Sequence, residues 1–302
     1  MLSRERSVFH KKLLDTILSV DAGGIPSNAD RSNKLSVLLA QGIHALILQE
    51  VTGRAGIVQD ASSVYSERKK AKGQTSGSVF EEKVMEFLQA TFPRLQHLRP
   101  GTWHILKLGN KNAVKTSDFA QYEHLAYLDA LVKSDAHLAA VLGNDYMVAP
   151  DVIVYRDLYT DEALNAPGAI VDDTIAKAAA IRKANGGKPV LHASVSAKWT
   201  MRSDRAQNSR TEALNLIRNR KGNLPHIVVV TGEPTPSRLA SLALGTGDVD
   251  CVYHFALYEL VRTVDEMAAR NPAADDVRQL LDTLIDGRRL KDISDLPLDL
   301  SV

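Results

Sequence analysis

Four short runs rich in β-branched residues most constrain the fold of this chain. They are "DVIVYR" (151–156), "PVLHASVSAKW" (189–199), "HIVVVTGE" (226–233) and "VDCVYHF" (249–255). Each run is nearly all apolar and is bounded by turn residues, which is typical of strands that are covered on both faces. Apolar residues at helical spacing predict helices near 172–185, 204–219, 236–243, 256–270 and 274–286. Strands that alternate with helices predict an α/β core.

The N-terminal part carries helical patterns instead of strand-like runs. Apolar spacing predicts helices over 1–20, over 35–51 and within 78–92. The 302 residues, 44% of them hydrophobic, suffice for one large domain or two modest ones. We expect a single domain over 1–302, which divides into a helical N-terminal part (1–75), a core (76–270) and a C-terminal helix and tail (271–302).

Composition and charge restrict the class of protein. The net charge is +1, so nucleic-acid binding must depend on local clusters of charge. Cys251 is the single cysteine and lies in an apolar run, so no disulfide framework is expected. The N-terminus lacks the apolar stretch of a signal peptide, and polar residues interrupt the most apolar segment, 35–51. These features predict a cytoplasmic protein without a membrane span.

Polar residues mark the ends of two predicted strands and the helix that follows. Asp151 heads a strand after Pro150, which cannot donate to a sheet ladder. Ser196 and Lys198 share a face of the next strand because strand side chains alternate. Glu212 flanks the apolar stripe of the helix near 204–219 and could reach Lys198. Taken singly, a turn aspartate, a salt-bridged lysine and a surface glutamate are the more common interpretations.

A third acid lies in "SVFEEKVMEF" (78–87), near the start of a predicted helix. Glu81 could contribute to a metal site, although the helix dipole favours any carboxylate at this position. Glu82 is an equal candidate, and the sequence does not separate the two. No Cys/His cluster suggests zinc, and no glycine-rich phosphate loop is present.

Taken together, these residues fit metal-assisted phosphodiester hydrolysis. Carboxylate oxygens hold hard divalent ions, which activate water and stabilise a leaving oxygen. A lysine offsets the charge that develops on the phosphorus centre. Asp151, Lys198 and Glu212 therefore form the candidate catalytic set, with Ser196 beside them.

The segment "RSDR" (202–205) suits the reading of G·C base pairs. Arginine binds guanine O6 and N7 with two hydrogen bonds, and aspartate accepts one from cytosine N4. Arg202 and Arg205 are thus candidate guanine readers and Asp204 a candidate cytosine reader. An ordinary helix N-cap is the other interpretation of Asp204, and the two roles do not exclude each other. Seven basic residues and two acids lie between 198 and 221, a balance that could neutralise phosphates.

The pattern Pro150-Asp151, Ser196-x-Lys198 and Glu212 resembles the PD-(D/E)xK nuclease superfamily. It is most similar to the branch in which serine replaces the acid before the lysine, namely the NgoMIV-type restriction endonucleases that cut around a CCGG core. The resemblance is dense from about 150 to 260 and includes the RSDR segment.

The resemblance implies a restriction-endonuclease-like sandwich with a central mixed five-stranded sheet flanked by helices. It implies that Asp151, Glu212 and Glu81 bind one or two Mg²⁺ ions and that Lys198 and Ser196 complete the catalytic site. It also implies a site of GCCGGC type, an outer guanine reader at Arg238, and DNA contacts from Asp30 and Gln74. The expected products carry 5′-phosphates.

The same resemblance implies the assembly and the biological setting. The partners would be double-stranded DNA and three further copies in a homotetramer, a dimer of dimers. A cognate methyltransferase would protect host DNA without forming a complex. Two alternatives remain: a nuclease that acts on DNA structure, such as a resolvase or repair enzyme, and a non-catalytic DNA-binding protein of the same fold. The RSDR segment argues against the first, and the full set of acids with Lys198 argues against the second.

Overall fold

A six-stranded mixed sheet forms the centre of the described chain. The computed structural model describes residues 1–53, 75–108, 114–142, 148–201, 203–245, 247–271 and 274–302. The strands are Trp103–Lys107 (β1), Val152–Arg156 (β2), Val190–Lys198 (β3), His226–Thr231 (β4), Cys251–His254 (β5) and Leu290–Asp292 (β6). They lie side by side in chain order. The first three are antiparallel, and β3 to β6 are parallel.

The α/β class is therefore confirmed, but the expected number of five strands is wrong. The four β-branched runs form β2 to β5, where the residues of β3 and β4 are almost all buried, as expected of strands with two covered faces. The sheet also includes β1 and β6, which lie outside the four runs and border the sheet on either side. The short β6 has only three residues, too few to produce a pattern in the sequence.

Helices cover the sheet and form the N-terminal part. They are Leu2–Leu14 (α1), Lys34–Thr52 (α2), Ser76–Thr91 (α3), His124–Ser134 (α4), Ala136–Leu142 (α5), Asp161–Leu164 (α6), Ser203–Asn219 (α7), Pro236–Ala243 (α8), Leu257–Arg270 (α9), Asp275–Asp286 (α10) and Leu296–Asp299 (α11). Short 3₁₀ turns occur at Phe92–Arg94, Thr116–Asp118 and Lys183–Asn185. The first predicted helix, 1–20, ends at Leu14.

The helix predicted over 172–185 is wrong. Apart from one 3₁₀ turn and an isolated β-bridge between Arg182 and Tyr159, this segment consists of turns, bends and irregular backbone. Asp172 Oδ1 accepts from the backbone N–H of Thr174 (2.7 Å), and Arg182 donates to the carbonyl of Ile175 (2.8 Å). Asn185 donates to the carbonyl of Ala179 (3.0 Å). Side chains thus satisfy backbone groups that a helix would have paired with one another.

The apolar helix α2 packs as a core helix. By length and composition alone it could cross a membrane. Its Leu39, Ile43 and Ile47 side chains, however, are fully buried against the rest of the protein. One hydrophobic cluster extends from Phe9 in α1 to Leu300 near the C-terminus. This continuity agrees with a single domain, which stays a prediction together with its internal boundaries.

Sheet topology brings several chain segments to one edge. Because β2 and β3 are antiparallel, the start of β2 lies beside the end of β3, with Val152 opposite Val195. Because β3 and β4 are parallel, their C-terminal ends lie together, with Lys198 opposite Thr231. The residues that precede β2 and those that follow β3 and β4 therefore meet at this edge, which we call the β3–β4 edge.

Candidate functional site

Asp151 and Lys198 form the centre of the site at the β3–β4 edge. Lys198 Nζ donates to Asp151 Oδ2 at 2.7 Å, and the backbone N–H of Ala197 donates to the same oxygen at 2.8 Å. The side chains of Lys198 and Asp151 are 17% and 19% exposed, respectively, so solvent reaches this ion pair only in part. The antiparallel pairing of β2 with β3 is the direct cause of this contact.

Ser196 lies beside this pair and joins it to helix α7. Its Oγ lies 3.5 Å from Asp151 Oδ2 and 3.3 Å from Ser209 Oγ on α7. Ala197 and Trp199 point to the opposite face and are buried, at 2% and 1% exposure. The strand alternation inferred from the sequence thus separates a polar face from an apolar face at this end of β3.

Glu212 reaches the site from α7, three residues after Ser209. Burial is the main cause that raises the pKa of Glu212. The positive charge of Lys198 lowers this pKa, and the negative charge of Asp151 raises it. Glu212 therefore lies within electrostatic reach of both residues, as its position beside the apolar stripe predicts.

Glu81 enters the site from α3. Burial is again the main cause that raises its pKa, opposed by a hydrogen bond from Lys107, while the charge of Asp151 raises it further. Its Oε2 lies 3.0 Å from Lys107 Nζ. Glu82, in contrast, lies 3.7 Å from Lys83 Nζ and is 38% exposed. Glu81 therefore lies within electrostatic reach of Asp151.

Lys107 at the end of β1 is a residue of this site that sequence reasoning missed. Its Nζ contacts Glu81 and donates to Ser78 Oγ at 2.6 Å. Lys107 pairs with Val152 across the sheet, next to Asp151. Its strand was not predicted, so the sequence offered no signal that would place this lysine here.

The three acids fit a hard divalent cation in donor type, because carboxylate oxygens are the ligands that such ions prefer. They do not form a closed cage. Within the described ranges, one group of three side chains has its candidate ligand atoms all within 4.8 Å of one another. This group is His10, Glu50 and Glu259, and not the three acids of the candidate site. Asp151 and Glu81 are each paired with a lysine instead.

The His10 group already holds a cation from the protein. Arg6 Nη2 lies 2.6 Å from Glu259 Oε2, and Arg6 Nη1 lies 3.8 Å from Glu50 Oε2. His10 Nε2 contacts the carbonyl of Phe255 at 2.9 Å, so only its second nitrogen faces the acids. This group is a structural ion-pair network rather than a metal centre.

Two of the predicted DNA-contacting residues, Arg238 and Asp30, contact each other at the same edge. Arg238 lies in the first turn of α8, and its Nη2 forms an ion pair with Asp30 Oδ2 from the loop between α1 and α2. The hydrogen bonds from Ser32 and Arg238 lower the pKa of Asp30 to about 2, so this carboxylate is charged at neutral pH.

The remaining predicted DNA-contacting residues are described only in part. Asp204 and Arg205 lie in the first turn of α7, which begins at the β3–β4 edge, but their side chains are not described. Arg202 and Gln74 lie outside the described residues. Arg210, one of the basic residues counted for phosphate neutralisation, lies 3.8 Å from Asp248 and contacts the carbonyl of Leu242. Its charge is therefore partly compensated within the protein.

Comparisons with known proteins identify the family of this chain. The family model for the NgoMIV restriction enzyme matches residues 9–302. The type II restriction enzyme NgoMIV of Neisseria gonorrhoeae is 49% identical over 303 residues, which cover 100% of this chain and 99% of that relative.

Two solved structures of restriction endonucleases are more distant. They are the BsaWI–DNA complex (11% identity, 84% of this chain and 76% of that one) and the PspGI–substrate DNA complex (13% identity, 99% and 91%). Both have a TM-score of 0.27, too low to carry an argument. The assignment rests on the two sequence matches, which span almost the whole chain: this protein belongs to the NgoMIV family of type II restriction enzymes and is a site-specific DNA endonuclease.

Proposed function

We propose that this endonuclease hydrolyses double-stranded DNA with Mg²⁺ at a palindrome with a CCGG core, of GCCGGC type. The products carry 5′-phosphate and 3′-hydroxyl ends. The observation that carries the proposal is the convergence of Asp151, Lys198, Glu212 and Glu81 at the β3–β4 edge. Lys198 lies on β3, Glu212 on α7 and Glu81 on α3, and Asp151 directly precedes β2. Packing of the fold does not require three acids at this place.

The acids Asp151, Glu212 and Glu81 would hold the metal, with one or two Mg²⁺ ions per site. When bound, the metal supplies Lewis-acid activation of water and stabilisation of the leaving oxygen. Lys198, at 2.7 Å from Asp151, orients that carboxylate and places a positive charge next to the reacting phosphate. Ser196 holds the neighbouring face of Asp151 and stands where the wider superfamily has an acid.

Base reading would occur along the same edge. Arg202, Asp204 and Arg205 would read the inner G·C pairs, and Arg238 with Asp30 would read the outer pair. Guanine O6 and N7 lie next to cytosine N4 in the major groove, so a reading arginine and a reading aspartate must be neighbours. The ion pair between Arg238 and Asp30 meets this requirement. Gln74 would contact the minor groove.

We also propose a homotetramer built as a dimer of dimers, a cytoplasmic location, and a cognate methyltransferase that does not form a complex with the enzyme. The support for these proposals is the family membership. Cytosine methylation within the site should block cleavage, because the proposed readers touch the cytosine edge.

A plasmid digest followed by run-off sequencing of the ends tests the proposal. The wild-type enzyme should cut at one palindrome with Mg²⁺ and should not cut in EDTA. Asp151→Asn should lose cleavage, whereas Asp157→Asn should retain it. Asp157 directly follows the other end of β2 and pairs with His104, so it is a matched control. Cleavage by Asp151→Asn at the wild-type rate, or ends without a CCGG core, would contradict the proposal.

A further inference from the structure

Both backbone polar groups of Met201 are held by one ion pair. The N–H of Met201 donates to Glu233 Oε2 at 3.2 Å, and its carbonyl accepts from Arg238 Nη1 at 3.2 Å. Glu233 Oε2 and Arg238 Nη1 lie 3.6 Å apart. Met201 directly precedes Arg202, the first of the proposed inner-base readers. The backbone of Met201, which directly precedes Arg202 in the chain, is therefore held in part by the residue proposed to read the outer base.

Glu233 is a carboxylate that the proposed chemistry does not use. It follows β4, and only 1% of it is exposed. Burial raises its pKa, whereas the contacts with Thr235 and Arg238 lower it. A buried carboxylate is costly unless it is paired and hydrogen-bonded, so each of its partners matters.

The two carboxylate oxygens of Glu233 accept hydrogen bonds near the starts of two different helices. Oε1 accepts the backbone N–H of Thr235 at 3.1 Å, at the start of α8, whose first turn carries Arg238. Oε2 accepts the N–H of Met201, two residues before the start of α7, whose first turn carries Asp204 and Arg205. One side chain thus connects the N-terminal ends of both proposed base-reading helices.

We propose that Glu233 is a positioning residue that couples reading of the outer base by Arg238 to reading of the inner bases by the segment 202–205. This inference rests on the proposed function. Glu233 acts through Arg238 and the backbone of Met201 and does not itself contact DNA. Correct seating of Arg238 on the outer guanine fixes Met201, and a wrong outer base disturbs the inner contacts through the same bonds.

The substitution Glu233→Gln separates this role from simple packing. Glutamine has nearly the same shape, but its amide offers one acceptor oxygen instead of two. Its NH₂ group must face the N–H of either Met201 or Thr235, which places a donor against a donor. Arg238 also loses the charge of Glu233 and is left with Asp30.

The test measures DNA binding in the absence of Mg²⁺ on three duplexes: the site found by run-off sequencing, one with the outer pair exchanged, and one with an inner pair exchanged. For Glu233→Gln, we expect the preference for the correct base to fall at least about fivefold at both the outer and the inner position. In the double variant Glu233→Gln/Arg238→Ala, the fold-loss of base preference at the outer position should be smaller than the product of the fold-losses in the two single variants.

Asp292→Asn is the control for loss of a buried carboxylate. Asp292 is 0% exposed and binds Arg6, so its substitution should lower Tm while the base preferences stay unchanged. Equal weakening of all three duplexes by Glu233→Gln, or unchanged preferences, would overturn the inference and leave the proposed function intact. An Arg238→Ala variant that keeps the outer-base preference would overturn both.

Discussion

Lys198 Nζ and Asp151 Oδ2 lie 2.7 Å apart, although 47 positions separate the two residues in the chain. Antiparallel pairing of β2 with β3 produces this contact, and the parallel β4 brings the start of α8 to the same edge. Two functions thus share one sheet edge. The acids and Lys198 provide the proposed phosphodiester chemistry, and the helices that begin there carry the proposed base readers.

Lys198→Ala should abolish cleavage while it largely spares DNA binding, because the lysine stabilises charge that develops only in the transition state. A digest assay and a binding assay on the same duplex measure the two effects. Lys188→Ala is the matched control, since Lys188 lies just before the opposite end of β3 and contacts the carbonyl of Ser117. Normal turnover by the Lys198 variant would remove this residue from the mechanism.

Glu81→Gln and Glu82→Gln form a matched pair of neighbouring substitutions. The first removes a carboxylate that senses the charges of Asp151 and Lys198, and the second removes one that lies beside Lys83. We expect Glu81→Gln to raise the Mg²⁺ concentration needed for half-maximal cleavage, and Glu82→Gln to leave it near the wild-type value. A metal titration of cleavage rate measures both. The reverse order of effects would favour Glu82 as the ligand.

The parts of the fold that were predictable depend on local pattern. The β-branched runs predicted β2 to β5 correctly, because strands that are buried on both faces are rich in such residues regardless of which elements pack against them. The segment 172–185 was misread because the side chains of Asp172, Arg182 and Asn185 hydrogen-bond to its backbone, while Arg182 also binds the carboxylate of Asp161, outside the segment. Apolar spacing does not record such bonds.

The same division applies to the site. The convergence of Asp151 and Lys198 follows from the strand ends at which they lie, so the sequence could suggest it. Lys107 and Glu233 were missed because their roles depend on contacts between elements: Lys107 with Glu81 from α3, and Glu233 with Met201 and Arg238. A carboxylate at the end of "HIVVVTGE" was visible in the sequence, but its burial was not.

Acid should destabilise the protein through its buried histidines. Burial lowers the pKa of His44 to about 3 and that of His254 to about 4. In the unfolded chain the pKa of histidine is about 6.5, so between these values the unfolded state binds protons that the folded state does not. The contribution of each of these histidines to the free energy of unfolding is complete above about pH 6.5. It falls by ~1.4 kcal/mol per pH unit as the pH drops toward the pKa that the histidine has in the folded state.

His44→Gln tests this link between pH and stability. His44 Nε2 contacts Asn28 Oδ1 at 2.9 Å, and Asn28 donates to the carbonyl of Gly232 at 2.7 Å. The variant should be less stable at pH 8 and should lose less stability between pH 8 and pH 5. Urea unfolding at the two pH values measures this, and His97→Gln, which changes an exposed histidine, is the control. An unchanged difference between the two pH values would contradict the assignment to His44.

Gly232→Ala should damage both stability and cleavage, because Gly232 lies where β3 and β4 end in close contact. A Cβ atom there would lie 2.6 Å from Trp199 Cε3 and 2.8 Å from the Trp199 carbonyl oxygen, and the Gly232 N–H donates to the carbonyl of Lys198 at 3.0 Å. We expect a loss of ~1–3 kcal/mol in the free energy of unfolding, with a shift in the emission of Trp199. Gly77→Ala is the control, since its nearest neighbouring atom would be 3.9 Å away. Wild-type stability and cleavage in the Gly232 variant would show that the ends of β3 and β4 can separate without cost.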